Sequence, residues 1–146
     1  MHELKITLAK FRLDIEYDYD FFLVGISCHE KSYRLCWAIN KALEIEMSAS
    51  DPHSISLKKN EEASEFPLFE LVNKENETSF LLIANKTDVG ILIPEQNQAD
   101  YFFIVKGPYR EKDLEEMMRK IKEIPFVIMT YRVNPDQLKS KQNLLF

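Results

Sequence analysis

Two β-rich segments separated by five turn-forming residues constrain the fold of this chain more than any other feature. Residues 66–72 and 78–84 are rich in Phe, Leu, Val and Ile, and the polar run Asn-Lys-Glu-Asn-Glu lies between them. Short polar connections between segments of this kind are typical of β-hairpins. The hairpin predicts an antiparallel sheet, and other elements must cover at least one face of that sheet.

Helices are predicted on both sides of the hairpin because apolar residues recur there at helical spacing. The first helix is expected to begin at a Ser32 cap and to run to about residue 47. The second follows residues 107–108 and runs to about residue 123. Residues 21–27 are apolar throughout, and periodicity does not decide between a buried strand and a helical turn. Because the next predicted helix begins only a few residues later in the sequence, the helical turn is favoured.

Further strands are predicted at residues 11–19, 55–57, 89–93, 100–106 and 124–133. The first of these alternates strictly between apolar and charged residues, which is typical of a strand with one wet face. Residues 100–133 read as strand–helix–strand, and such connections are almost always right-handed crossovers. The sequence therefore predicts one α+β domain over residues 1–146, with residues 138–146 as a tail or short helix. Its sheet is mixed but mainly antiparallel, with two or three helices on one face and a C-terminal β-α-β unit.

Composition excludes several classes of function. The net charge of −5 offers no global positive field for nucleic acid. Only three glycines are present, and no two are close enough to form a phosphate-binding loop, so no nucleotide cofactor is expected. No apolar run approaches the length of a membrane span, and the first residues lack the apolar core of a signal peptide. We therefore expect a cytoplasmic protein with no membrane partner.

The two cysteines, Cys28 and Cys36, lie eight residues apart, and His29 adjoins the first. Zinc ligands usually come in pairs separated by two to four residues, so this spacing does not predict a metal site. An activated thiolate at Cys28 beside His29 is the redox alternative, but no resolving cysteine is close in sequence. Buried, reduced thiols without a metal are the favoured interpretation.

The most distinctive segment is residues 93–101, where Glu95 and Asp100 lie at either end of a short polar connection. Pro94 cannot donate a hydrogen bond to a sheet, so it should end the preceding strand. Two carboxylates on one loop can act as an acid–base pair or bind a cation. The alternative is structural: Asp100 caps backbone amides of the loop, Tyr101 packs, and Glu95 is solvated. Capping is the commoner use of Asp in loops, and it is favoured here.

This segment resembles the signature of the IPExxxVDY family of bacterial proteins. Ile93, Pro94, Glu95, Asp100 and Tyr101 match the signature, and Ala99 stands where the family name has Val. Residues 33–37 together with Asn40 are also similar to the family. The resemblance implies a source among Bacteroidetes. The family has no established activity, so it implies no catalytic residues.

No catalytic constellation is found, and the favoured function is a non-catalytic interaction module for another cytosolic protein or for a second copy of itself. Tyr33 and Trp37 lie off the apolar stripe of their helix and could form an exposed aromatic anchor, although filling the core is the commoner outcome. Leu144, Leu145 and Phe146 are apolar where a terminal segment is normally polar. The first alternative is a small enzyme or cation-binding protein that uses Glu95 and Asp100.

An RNA-associated factor is the second alternative, and it is not favoured because acidic residues are interleaved with the basic ones. It would require eight basic residues to share one face: Arg110, Lys112, Arg119, Lys120, Lys122, Arg132, Lys139 and Lys141.

Overall fold

The computed structural model describes residues 21–57 and 62–144. The strand predicted for residues 11–19 lies outside the described residues, as do Leu145 and Phe146. Within the described ranges, the strands are β1 (Phe22–Cys28), β2 (Ser48–Ala49), β3 (His53–Ile55), β4 (Ser64–Phe66), β5 (Leu68–Asn73), β6 (Thr78–Ala84), β7 (Lys86–Thr87), β8 (Gly90–Ile91), β9 (Tyr101–Lys106) and β10 (Val127–Val133). The α-helices are α1 (Ser32–Leu43) and α2 (Glu111–Lys122), and short 3-10 turns lie at Pro94–Gln96, Pro135–Gln137 and Lys141–Leu144.

Six strands form the main sheet in the order β10-β1-β9-β6-β5-β2, and every neighbouring pair is antiparallel. Two small two-stranded sheets, β3 with β4 and β7 with β8, lie beside it. The predicted hairpin is confirmed as β5 and β6, which pair from Leu68 opposite Ile83 to Asn73 opposite Thr78. The α+β class with a mainly antiparallel sheet is therefore confirmed.

The central position of β1, between β10 and β9, corrects the helical turn predicted for residues 21–27. Leu23, Val24 and Ile26 are all fully buried, on alternating sides of the strand. A central strand of a sheet covered on both faces has no wet side, so it loses the alternation that identifies a strand in a sequence. The uninterrupted apolar run is the consequence of this double burial.

Both helices pack on the same face of the sheet, as predicted. Leu35 and Ile39 of α1 and Leu114 and Ile121 of α2 are fully buried in the core on this face. Loop and C-terminal segments cover the opposite face, and the fully or nearly buried residues that they contribute are Leu92, Ile93, Ala99, Leu138 and Leu144. Each fully buried Leu or Ile contributes roughly 1.5–3 kcal/mol to stability, so both faces carry a substantial core.

The helix α1 is shorter than predicted. Its N-cap is Lys31, which makes no side-chain cap hydrogen bond, rather than Ser32. Glu44 adopts the left-handed conformation with φ 57° and ends the helix. The side chain of Asn40 binds both the N–H and the C=O of Met47, at 3.0 and 2.9 Å. The chain therefore turns back at the end of α1 instead of continuing the helix to residue 47.

The segment β9–α2–β10 has the predicted strand–helix–strand order. Both strands run antiparallel to β1, which lies between them. The strands β9 and β10 are therefore parallel to each other but do not pair. In a simple β-α-β unit the two strands are neighbours, whereas here β1 lies between them.

Candidate functional site

Residues 93–101, which we call the signature loop, connect β8 to β9. The loop contains the 3-10 turn Pro94–Gln96 and ends where Tyr101 begins β9. Ile93 and Ala99 are fully buried in the core opposite the helices. Glu95, in contrast, is exposed on the outer side of the loop. The loop thus has an apolar inner side that belongs to the core and a polar rim.

Asn85, the residue after β6, holds the signature loop from the inside. Its fully buried side chain accepts a hydrogen bond from the N–H of Ile93 at 2.7 Å and donates to the C=O groups of Gln96 and Ala99 at 3.1 and 2.8 Å. Its backbone N–H donates to the C=O of Asp100 at 2.9 Å. Buried polar groups are costly when unpaired, so these bonds fix the conformation of the loop. Sequence reasoning missed Asn85, because a single Asn after an apolar strand carries no distinctive pattern.

Asp100 binds the end of β1. Its Oδ2 accepts a hydrogen bond from the N–H of Cys28 at 2.8 Å, and its Oδ1 lies 3.3 Å from Nζ of Lys86. Its own N–H donates to the C=O of Ile26 at 2.8 Å. Asp100 therefore caps a backbone amide, as the sequence suggested, but the amide belongs to β1 and not to the loop.

Glu95 binds the C-terminal segment and is not simply solvated, as had been expected of it. Its carboxylate accepts hydrogen bonds from the N–H and the Oγ of Ser140, at 2.6 and 3.0 Å. Burial alone raises the pKa of Glu95, but hydrogen bonds from Ser140 and from the backbone of Glu95 and Lys139 together outweigh it and leave the pKa below its ordinary value. The charged form of Glu95 is therefore part of the link between the signature loop and the C-terminal segment.

Glu95 and Asp100 thus bind different elements, and this arrangement does not favour an acid–base pair. A groove of about 670 Å³ lies beside the loop, and its lining includes Pro94 and Ser140 but neither carboxylate. Across residues 21–57 and 62–144, no group of three or more His, Cys, Asp or Glu side chains is arranged to hold a metal ion. The contacts of both carboxylates tie the signature loop to other elements of the fold.

Both cysteines are buried and free. Burial raises the pKa of Cys28, and it raises the pKa of Cys36 to about 11. Next to Cys28, the hydroxyl of Tyr101 donates to the C=O of Glu30 at 2.6 Å, and burial raises the pKa of Tyr101 to about 12. A thiol with a raised pKa stays protonated at neutral pH and is a weak nucleophile. This opposes the redox alternative for Cys28 beside His29.

The C-terminal segment packs on its own chain, and Leu144, which the sequence offered as a possible interaction residue, is buried within the domain. Leu138 and Leu144 are only 6% and 1% exposed, in the core opposite the helices. The side chain of Asn143 adds a hydrogen bond to the C=O of Leu92 at 2.8 Å. Burial of the two leucines, together with the hydrogen bonds that Ser140 and Asn143 make to the rest of the fold, offsets the entropy lost in ordering the segment.

The outer face of α1 carries the most exposed aromatic side chains of the described residues. Tyr33 and Trp37 are 61% and 63% exposed. They are four residues apart, so they lie on the same side of the helix, one turn from each other. Of the two outcomes expected from the sequence, exposure and not core packing is the one observed.

Basic residues accompany this aromatic pair, and residues 31–43 contain no Asp or Glu. The Nζ atom of Lys41 lies 4.7 Å from the ring centroid of Trp37, within the range of a cation–π contact. The guanidinium of Arg34 lies 5.5 Å from the ring centroid of Phe126, next to the start of β10. We call this surface the α1 patch, and it comprises Lys31, Tyr33, Arg34, Trp37 and Lys41.

Several basic residues of the RNA alternative are already ion-paired within the chain. Arg119 contacts both Glu116 and Glu123, at 2.7 and 2.6 Å. Arg132 lies 2.5 Å from Glu111. These interleaved carboxylates oppose a continuous positive face on α2 and β10.

No protein-family model matches this sequence, and no curated protein matches it. The resemblance to the IPExxxVDY family therefore stays a prediction from the signature residues. Neither helix of the described ranges is long and apolar enough to cross a membrane.

Proposed function

We propose that this protein is a non-catalytic protein-interaction module of the cytoplasm and that the α1 patch is its binding surface. The observation that carries this proposal is the joint exposure of Tyr33 and Trp37 on one side of α1. Both side chains keep apolar surface in contact with water, and burying such surface is favourable by about 25 cal/mol per Å². Trp, Tyr and Arg are also the residues enriched among those that dominate binding energy at protein interfaces.

The signature loop supports this proposal because its two carboxylates make contacts that stabilise the fold and do not converge on a common site. Asp100 and Glu95 each accept hydrogen bonds from protein donors, on different elements. A catalytic or cation-binding alternative needs the two carboxylates to converge in one pocket, and that arrangement is not the one observed. We also propose kinship with the IPExxxVDY family, on the signature residues alone.

An affinity purification from native cytosol with matched variants tests the proposal. The wild-type protein is compared with the double variant Tyr33→Ala/Trp37→Ala and with the control Val72→Ala/Val89→Ala, which removes exposed apolar side chains from other elements. We expect a protein identified by mass spectrometry to copurify with the wild type and the control but not with the aromatic variant. Its binding is then measured again with both proteins purified, and thermal melts establish that all variants are folded.

Two results would contradict the proposal. One is a partner that the aromatic variant retains at wild-type affinity. The other is a wild-type protein with no partner that depends on Trp37 and no self-association in sedimentation analysis, since a second copy of the chain is the remaining occupant.

A further inference from the structure

The α1 patch has the opposite charge to the chain that carries it. The whole chain has a net charge of −5, whereas residues 31–43 contribute Lys31, Arg34 and Lys41 and no acidic residue. Among the residues that the structure describes, no carboxylate lies within ion-pair distance of Lys31 or Lys41, and both are exposed. The patch itself thus carries three cations in an acidic protein, and Glu30, Glu44 and Glu46 lie at its borders.

Apolar and charged groups alternate along this surface. Tyr33, Trp37 and Lys41 follow one another at four-residue spacing and form one stripe, and Arg34 lies beside Trp37 at three-residue spacing. Arg34 contacts Glu30 at 3.6 Å, but the two side chains are 58% and 38% exposed. An exposed ion pair of this kind contributes little, so it can be exchanged for another carboxylate. The patch therefore has an aromatic centre and a rim of cations.

From this arrangement we infer that the partner of the α1 patch is an acidic segment of another protein that carries apolar side chains between its carboxylates. The inference rests on the function proposed above. Apolar side chains of the segment cover Tyr33 and Trp37, as at the core of protein interfaces. Carboxylates on either side then pair with the cations of the rim, which adds specificity and speeds association.

The same features disfavour the other two occupants. A nucleic acid carries a charge on every nucleotide and would extend past the patch onto Glu30, Glu44 and Glu46, which flank it. In a symmetric dimer formed by this face, two surfaces that each carry three cations would face each other. An acidic segment with two or three carboxylates matches the patch in both sign and number.

Trp37 makes a direct test possible, because it is the only tryptophan of the chain. The protein is titrated with three short peptides that share the same leucine positions and carry Glu, Gln or Lys elsewhere, while Trp37 emission is recorded. Oligouridylate serves as a polyanion without apolar side chains. Charge variants Lys31→Gln, Arg34→Gln and Lys41→Gln leave the probe in place, and Lys74→Gln, an exposed lysine in the β5–β6 turn, is the matched control.

We expect saturable binding of the Glu peptide, at least about tenfold tighter than that of the Gln peptide. Each charge variant of the patch should weaken binding about two- to fivefold, the range for exposed ion pairs, and Lys74→Gln should not. Raising the ionic strength from about 0.1 to about 1 M shortens the Debye length from about 10 to about 3 Å and should weaken binding further.

Equal affinity for the Gln peptide, or no response to the Glu peptide, would overturn the inference about charge. Tighter binding of oligouridylate than of the Glu peptide would reassign the patch to nucleic acid. The proposed function is judged separately, by whether a copurifying partner depends on Trp37, so its failure is distinguishable from a failure of this inference.

Discussion

Replacing Asn85 by Ala tests whether the signature loop is held from the inside. The substitution removes three hydrogen bonds, to the N–H of Ile93 and to the C=O groups of Gln96 and Ala99. At about 0.5–1.5 kcal/mol each, the three bonds together contribute about 1.5–4.5 kcal/mol. The loss belongs in the upper part of this range, because water cannot replace a partner for the fully buried Ile93 and Ala99 without entering the core.

Urea unfolding monitored by far-ultraviolet circular dichroism measures this loss as a lower midpoint at unchanged slope. Asn97→Ala is the matched control: it changes the same residue type in the same loop, at an exposed position whose side chain makes no hydrogen bond among the described residues. The control should stay within about 0.5 kcal/mol of the wild type. An Asn85→Ala variant as stable as the control would refute the account of the loop.

Three other changes test neighbouring contacts. Deleting residues 138–146 should lower the free energy of unfolding by up to about 3–6 kcal/mol, because the burial of Leu138 and Leu144 is lost while the released ordering entropy offsets part of that loss; an unchanged urea midpoint would contradict this. Gly25→Ala places a Cβ 2.5 Å from Cζ of Tyr131 and should lower the free energy of unfolding by about 1–3 kcal/mol. Adding Tyr131→Ala removes the clash, so the double variant should lose less stability than the sum of the two single losses, and strictly additive losses would count against this contact. Because the pKa of Glu95 is lowered in the fold, its charged form stabilises the protein above the ordinary value of 4.5, and this contribution is lost as the pH falls through the lowered pKa. The stability gap between wild type and Glu95→Gln should therefore close in acid, whereas a gap that does not change with pH would speak against the Ser140 link.

Elements with a recognisable short-range sequence pattern were predictable, whereas elements whose conformation depends on residues distant in the chain were not. The hairpin and α2 combine short-range periodicity with recognisable turns. The strand β1 does not, because its burial on both faces depends on elements far along the chain. The end of α1 is likewise set by the bond between Asn40 and Met47, which no helical periodicity encodes.

The contacts of the signature loop are long-range for the same reason. Its unusual sequence could be noticed, but its partners lie elsewhere: Ser27 donates to the C=O of Gln98 at 2.6 Å from a strand 71 residues earlier. The exposure of Trp37 was equally undecided, because the side of α1 that stays open depends on where α2 packs. The sequence suggested an aromatic binding anchor only through the residue types of Tyr33 and Trp37.

Acrylamide quenching of Trp37 emission, in the free protein and in complex with the copurified partner, measures whether the partner covers the α1 patch. We expect strong quenching in the free protein, as for a side chain 63% exposed, and clear protection in the complex. A partner that binds while the quenching of Trp37 stays unchanged would contradict the assignment of the α1 patch as the binding surface.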